Sequence, residues 1–222
     1  MRLALFDLDN TLLDGDSDYL WGEYLVERGI VDGDWYRSEN DRFYEDYKAG
    51  ELDIQAFLEF ALSPLAAHPR SHLEAWRQDF LEEKIMPRIG DDALRLVDQH
   101  RNRDELPMII TATNRFVTEP IAQLFGIDHL LATDPEVREG EYTGKVAGTP
   151  CFREGKLTRL QDWLQDQPAK LEDACFYSDS RNDLPLLEAV GHPVAVNPDP
   201  ALAEIARQRG WPIMRLTVGA VS

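Results

Sequence analysis

Leu3-Ala4-Leu5-Phe6-Asp7-Leu8-Asp9-Asn10-Thr11-Leu12 sets an unbroken apolar run against two alternating acids. A run with no polar alternation predicts a short strand buried on both faces, as in sheets covered by helices on each side. Asp7 and Asp9 follow at its C-terminal end. Side chains alternate along a strand, so if extended backbone persists to Asp9 both carboxylates share one face, and the residues beyond can turn back over them. Two such charges ~4 Å apart repel by about 4 kcal/mol at an effective dielectric of 20. Something must hold them, and a divalent cation is the natural candidate. A single Asp after a strand is usually only a turn former; two in alternation call for partners elsewhere in the chain.

Working outward, the sequence is acidic up to Asp18 and then helical in pattern, with Tyr19, Leu20, Tyr24 and Leu25 at helical spacing before Gly29. A second helical stretch, Asp34 to about Lys48, carries Trp35, Phe43, Tyr44 and Tyr47 and is closed by Gly50. Asp53 reads as the cap of a third through Leu62, followed by Pro64 and another helical segment between Ser71 and Ile85. No strand pattern interrupts this region. Residues 15–86 are therefore expected to form an all-helical cap subdomain inserted after the first strand, with 1–14 and 87–222 forming the core.

From Pro87 the pattern alternates. A helix near Asp91–His100 leads to the strand Met108-Ile109-Ile110, which ends in Thr111-Ala112-Thr113-Asn114. Glu119 to Phe125 reads as a helix closed by Gly126. Leu130 begins a strand, and Val137 and Tyr142 flanking Glu139-Gly140 predict a hairpin. A helix over about Gly155–Gln165 precedes the buried strand Ala174–Tyr177, which ends in Ser178-Asp179-Ser180-Arg181-Asn182-Asp183, with Pro185 suited to the first turn of the next helix. Val194–Val196, a helix from Pro200 to Gln208 and Ile213-Met214 complete the series. The expected fold is α/β, a Rossmann-like parallel sheet with helices on both faces. Ligands in such sheets bind outside the carboxyl ends of the strands. The polar groups at three strand ends, Asp7/Asp9, Thr111 and Asp179/Asp183, should then converge on one crevice.

The chain has 222 residues, 43% hydrophobic and 29% charged, enough for a sizeable core and inconsistent with disorder. Its formal net charge of -18 excludes unaided binding to nucleic-acid phosphates or anionic membranes, which need basic patches. No secretory leader pattern and no apolar run of membrane-spanning length is present, so a cytoplasmic protein is expected. Two cysteines, Cys151 and Cys175, suggest reduced thiols and not a disulfide scaffold.

Asp7, Asp9, Asp179 and Asp183 offer hard oxygen ligands, which suit Mg²⁺ better than zinc. Thr111 adds a hydroxyl, and Lys156 near the start of a helix adds a positive charge to bind phosphate and limit its repulsion by Asp7. Together they describe a phosphoryl-transfer site, where positioning and charge neutralisation dominate. These motifs resemble those of the haloacid dehalogenase-like hydrolases, in the phosphoserine phosphatase-like subclass with a helical cap after the first motif. The matching stretches are Phe6–Leu12, Met108–Thr111, Gly155-Lys156 and Ser178–Asp183. The resemblance implies that Asp7 is the nucleophile forming an aspartyl-phosphate, and that Asp9 protonates the leaving alkoxide and then activates water. It implies Mg²⁺ held by Asp7, the backbone carbonyl of Asp9, and Asp179, with Asp183 acting directly or through water. Thr111, Lys156 and Asn182 would hold phosphoryl oxygens, with Thr113 as an alternative to Thr111.

Two departures bear on substrate. Ser178 and Ser180 stand where the family commonly has glycine, which narrows the backbone angles open to that loop. Asp16 stands where phosphoserine phosphatases carry a Glu that contacts the substrate ammonium. A shorter acid suits a differently shaped amine, so the expected substrate is a small amine-bearing phosphomonoester of amino-acid biosynthesis, histidinol phosphate ahead of phosphoserine. Rival readings are a phospho-acceptor signalling module, which would lack the helical insertion, and a phosphotransferase. The Cys175-x5-Arg181 spacing also fits a cysteine-dependent phosphatase loop, but Asp179 would put a negative charge inside the phosphate cradle, and Cys175 reads as a core residue.

Overall fold

Leu3–Phe6 forms β1, buried at all four positions, and the sheet grows outward from it in the computed structural model, which describes residues 1–217. Alongside β1 lie β2 (Leu106–Asn114), β3 (His129–Arg138), β4 (Glu141–Ala147), β5 (Cys175–Ser178), β6 (His192–Val196) and β7 (Ile213–Met214). Among the described residues these make one seven-stranded sheet, in the order β4-β3-β2-β1-β5-β6-β7. β1 pairs in parallel with β2, Phe6 opposite Ile109, and with β5, Phe6 opposite Tyr177. The chain thus builds to one side of β1 through β4 and returns to the other side at β5. The strand order reverses between β1 and β5, the place where such sheets open a crevice. β4 runs antiparallel, with Val137 opposite Tyr142 as the sequence predicts. Glu139 (φ 52°) and Gly140 (φ 87°) supply the two positive angles that a tight hairpin turn requires.

The helices are α1 (Ser17–Glu27), α2 (Gly33–Ala49), α3 (Ile54–Ala67), α4 (Arg70–Phe80), α5 (Asp91–Arg101), α6 (Arg115–Leu124), α7 (Glu154–Leu164), α8 (Leu184–Leu187) and α9 (Pro200–Arg209). Residues 15–86 contain α1 to α4, a π-helical turn at Leu81–Ile85 and no strand. Alternation along β1 sends Ala4 and Phe6 into a core shared with Val97 of α5, Ile121 of α6 and Trp21 and Tyr24 of α1. Leu3 and Leu5 point the other way, to Leu160 of α7, Leu187 of α8 and Leu202 of α9. Both faces of the strand are covered, which is why it shows no polar alternation. No helix among the described residues is long and apolar enough to cross a membrane.

Three elements run further than their sequence suggests. α3 continues through Pro64, although proline has no N–H for the carbonyl four residues back. That carbonyl, Phe60 O, instead accepts from Ser63 Oγ at 2.8 Å. α6 begins at Arg115 and not near Glu119, capped by Asn114, whose Oδ1 accepts from Val117 N at 3.2 Å. It contains Pro120, and the Phe116 carbonyl that Pro120 leaves free accepts from Arg77 Nη1 at 2.6 Å. β2 extends past Ile110 through Asn114, so Thr111 and Thr113 sit on the strand, two residues apart and on one side.

Candidate active site

The Asp7 amide donates to Tyr177 O at 2.9 Å, which carries the β1–β5 pairing one residue beyond the strand. The chain then turns at Asn10, whose φ of 57° lets Thr11 fold back beneath the acids. Thr11 Oγ1 lies 3.4 Å from Asp7 Oδ2 and 3.2 Å from Asp179 Oδ1, and accepts from the Asp179 amide at 3.0 Å. This residue belongs to the opening motif, yet its role as the tie between two strand ends has no local sequence signal.

Lys156, 1% exposed on α7, brings its ammonium to 2.7 Å from Asp7 Oδ1 and 2.8 Å from Asp183 Oδ2. Ser178 Oγ donates to the same Asp183 oxygen at 2.7 Å and accepts from the Ser180 amide, while Ser180 Oγ accepts from the Asn182 amide, each at 3.2 Å. The serines thus use their hydroxyls to build this turn. Ser180 sits at φ -111° and neither serine has a positive φ, so the loop does not need the freedom of glycine.

Asp9 faces a different set of donors. Its Oδ1 accepts from the Ser17 amide at 2.7 Å, and its Oδ2 from Thr113 Oγ1 at 2.9 Å and Thr111 Oγ1 at 3.3 Å. Both threonines therefore reach the carboxylate from β2. Asn182 is placed apart from the Lys156 pair: its Nδ2 donates to Tyr47 O at 3.0 Å and its Oδ1 accepts from Arg153 Nε at 3.3 Å. Arg153 also donates to Gly50 O, and Arg181 to Ala49 O. Three side chains of the α/β part thus clasp the carbonyl end of α2, where the helix dipole is negative. A Cβ on Gly50 would collide with the Arg181 guanidinium. Neither arginine is legible in the sequence, because each contact spans more than a hundred residues.

Asp7, Asp179 and Asp183 are each less than a tenth exposed, and Asp7 and Asp183 share the Lys156 ammonium. Burial alone would lower the pKa of Lys156, but Asp183 and Asp7 outweigh it and hold the group well above the ordinary lysine value. Burial pushes Asp7 up to about 7, against the pull of Lys156 and with the help of the Asp183 and Asp9 charges. Asp179 is raised by burial and then by Asp7 and Asp183. No three His, Cys, Asp or Glu side chains among the described residues stand together as a ready metal cluster. The donor set still fits Mg²⁺. It consists of carboxylate oxygens, three acids against one ammonium, and a hard divalent ion relieves the mutual repulsion that helps raise Asp179.

Above the acids opens a cleft lined at one end by Asp7, Asp9, Thr111 and Thr113. Its walls come from the helical region, with Asp16 and Asp18 on one side and Phe43, Tyr44, Tyr47 and Phe57 among the aromatics. Asp16 caps α1: its Oδ1 accepts from Asp18 N at 3.0 Å and Tyr19 N at 2.9 Å. Burial, then the Asp9 charge, raises its carboxyl well above the usual range. The same two causes push Asp18 up to about 7. Cys175, by contrast, lies on β5 opposite Ala4, three residues before the strand end.

Residues 4–188 match the family of haloacid dehalogenase-like hydrolases. Among curated proteins, the chain is 44% identical over 217 residues to a histidinol-phosphatase of Neisseria meningitidis serogroup C (strain 8013), covering 96% of this chain and 98% of that protein. It is 32% identical to a phosphoserine phosphatase of Mycobacterium tuberculosis, over 95% of this chain and 69% of the relative. Among solved structures, a protein of unknown function from Bordetella pertussis Tohama I superposes with a TM-score of 0.90 at 49% identity, covering 96% of this chain and 97% of the other. A phosphoserine phosphatase solved as an analogue of its phospho-aspartyl intermediate shares the fold, with a TM-score of 0.71 at 21% identity, covering 98% of this chain and 94% of that one.

Proposed function

This chain belongs to the haloacid dehalogenase-like hydrolases and is a phosphatase, and from that footing we propose that it hydrolyses a small amine-bearing phosphomonoester, histidinol phosphate, through an aspartyl-phosphate on Asp7. The observation that carries this reading is the buried Lys156 ammonium bound to Asp7 and Asp183 at the β1–β5 crevice. It leaves Asp7 lining a cleft shared with Asp9, the threonines of β2 and polar and aromatic side chains of the helical region.

Asp7 attacks phosphorus, and the bond from phosphorus to the alcohol oxygen breaks. Asp9, held by the Ser17 amide and the two threonines, protonates the departing alkoxide. Asp9 then takes a proton from water as the water oxygen attacks the phosphorus, releasing inorganic phosphate and restoring the Asp7 carboxylate. Lys156 and Thr111 hold phosphoryl oxygens during both steps; Asn182 joins them only by releasing the Tyr47 carbonyl to which its amide donates. Asp7, the Asp9 carbonyl, Asp179 and Asp183 are the residues that would hold Mg²⁺, which when bound supplies neutralisation of phosphoryl charge. Residues 15–86 act as the cap that encloses the alcohol, and 1–14 with 87–222 carry the chemistry. Free thiols at Cys151 and Cys175 support a reducing, cytoplasmic setting. The high identity to a histidinol-phosphatase along nearly its whole length supports the choice of substrate.

The test is phosphate release from a panel of metabolite phosphates, histidinol phosphate and phosphoserine among them, with Mg²⁺ or with chelator. The expected result is Mg²⁺-dependent turnover, fastest on histidinol phosphate, that falls on the order of 10⁴-fold or more in Asp7→Asn. Turnover that survives either chelator or this substitution would overturn the mechanism.

A further inference from the structure

Asp16 occupies the position expected to contact a substrate amine, yet the structure gives one of its oxygens a structural task in capping α1. Two other polar groups line the same cleft with unused capacity. Asp18 accepts one long hydrogen bond, from Asn114 Nδ2 at 3.4 Å, and among the described residues no Lys, Arg or His forms an ion pair with it. Asn40, 5% exposed, donates through Nδ2 to Tyr19 O at 3.0 Å, which fixes the sense of the amide, while its Oδ1 accepts no hydrogen bond among the described residues. The amide is held flat against Gly22, where a Cβ would stand 2.7 Å from Nδ2. The Oδ1 oxygen is not sealed in the protein but belongs to the cleft lining, where a donor on a ligand can complete it.

We propose that Asp18 and Asn40 form the subsite that binds the protonated nitrogen of the leaving alcohol, and so determine which phosphomonoesters this enzyme selects. The proposal rests on the phosphatase reading above and deepens it. An ammonium or imidazolium offers what both groups lack: a positive charge for Asp18 and an N–H for Asn40 Oδ1. Phe43 and Tyr44 line the same cleft, and aromatic faces attract cations and stack on flat rings. Asp9 adds its negative field to Asp18. The site is then bipolar, with Lys156 at the phosphate end and Asp18 at the nitrogen end, which reconciles an anionic substrate with a chain of net charge -18. A neutral alcohol phosphate gains only from the Lys156 end.

The experiment compares kcat/KM on histidinol phosphate with kcat/KM on p-nitrophenyl phosphate, in wild type, Asp18→Asn and Asn40→Ala. The selectivity ratio should fall about tenfold or more in Asp18→Asn, chiefly through KM for histidinol phosphate, and about threefold in Asn40→Ala. Both substrates falling together, with a ratio within twofold of wild type in Asp18→Asn, would overturn the proposal. A second readout needs no turnover: calorimetric binding of histidinol itself to wild type and Asp18→Asn. A tenfold weaker complex in the variant supports the subsite, and equal affinity overturns it. Absence of phosphate release in wild type with a measurable loss of histidinol binding in the variant would sink the phosphatase reading and leave the subsite standing.

Discussion

The crevice at the ends of β1 and β5 and the cleft wall beneath α1 and α2 hold acids in opposite states. At the strand ends Asp7 and Asp183 are bound by Lys156, Asp183 also by Ser178, and Asp179 by Thr11. In the cleft wall Asp18 has one long amide contact and Asn40 an unused oxygen. Closed networks hold a geometry, and open ones wait for a ligand. The fold places reaction chemistry on the rigid sheet, where parallel pairing sets each strand end, and leaves selectivity to helices whose polar groups are incompletely satisfied.

The closed network breaks most completely at Lys156. Lys156→Met keeps the length of the stem and removes the charge, so Asp7 and Asp183 are left buried without a cation. Urea denaturation at pH 7.5 should show a loss on the order of 3–5 kcal/mol, and phosphate release should be abolished. The Asp7 carboxyl, already pushed up to about 7 by burial, then loses the pull of Lys156 and holds its proton still more tightly in the folded state than in the unfolded chain, so the deficit should shrink as pH falls towards 5. A loss below about 1 kcal/mol, independent of pH, would mean that the ammonium does not hold the crevice together.

What was legible in the sequence follows the same division. The apolar run into Asp7-x-Asp9 and the Ser178–Asp183 turn are local patterns at strand ends, and their convergence follows from the sheet rule. The turn at Glu139-Gly140 could be read because its chemistry lies in adjacent residues. Lys156 reads as the phosphate-binding cation from the need to balance the acids, and the family resemblance reinforces it, since a lone lysine near a helix start is not specific by itself. The continuation of α3 and α6 through Pro64 and Pro120 was hidden, because the substitute donors, Ser63 and the distant Arg77, are not part of any helix-breaking rule. The clasp of Arg153, Arg181 and Asn182 on the end of α2, and the Gly22–Asn40 contact, were hidden for the same reason: each depends on docking between elements far apart in the chain.

Asp18 sharpens the comparison through its cost. Burial and the Asp9 charge push its carboxyl up to about 7, whereas an Asp in the unfolded chain titrates near 4. The folded state therefore keeps the proton longer, and this residue subtracts stability progressively as pH rises from about 4 to about 7, then by a constant amount. Asp18→Asn has no charge to bury. Its unfolding free energy from urea denaturation should exceed that of wild type at pH 8, by an amount on the order of 2–4 kcal/mol, and converge with wild type near pH 4. Such a gain in stability beside lost selectivity is the pattern of a group retained for binding. A variant less stable at every pH would assign Asp18 to the fold, alongside the cap at Asp16.

The smallest effect is expected at Cys175, which tests whether the crevice owes anything to the Cys-x5-Arg spacing. A cysteine phosphatase loop requires the thiol and the arginine to face the same phosphate. Here Cys175 pairs with Ala4 at the start of β5, while Arg181 donates to Ala49 O at the end of α2. The thiol is half-buried and pushed up, first by burial and then by the Glu105 charge, so it has little thiolate character. Cys175→Ser should leave phosphate release within twofold of wild type and change the unfolding free energy by no more than about 1 kcal/mol. Loss of turnover in that variant, with its stability intact, would move the nucleophile from the end of β1 to the start of β5 and undo the division between closed crevice and open cleft.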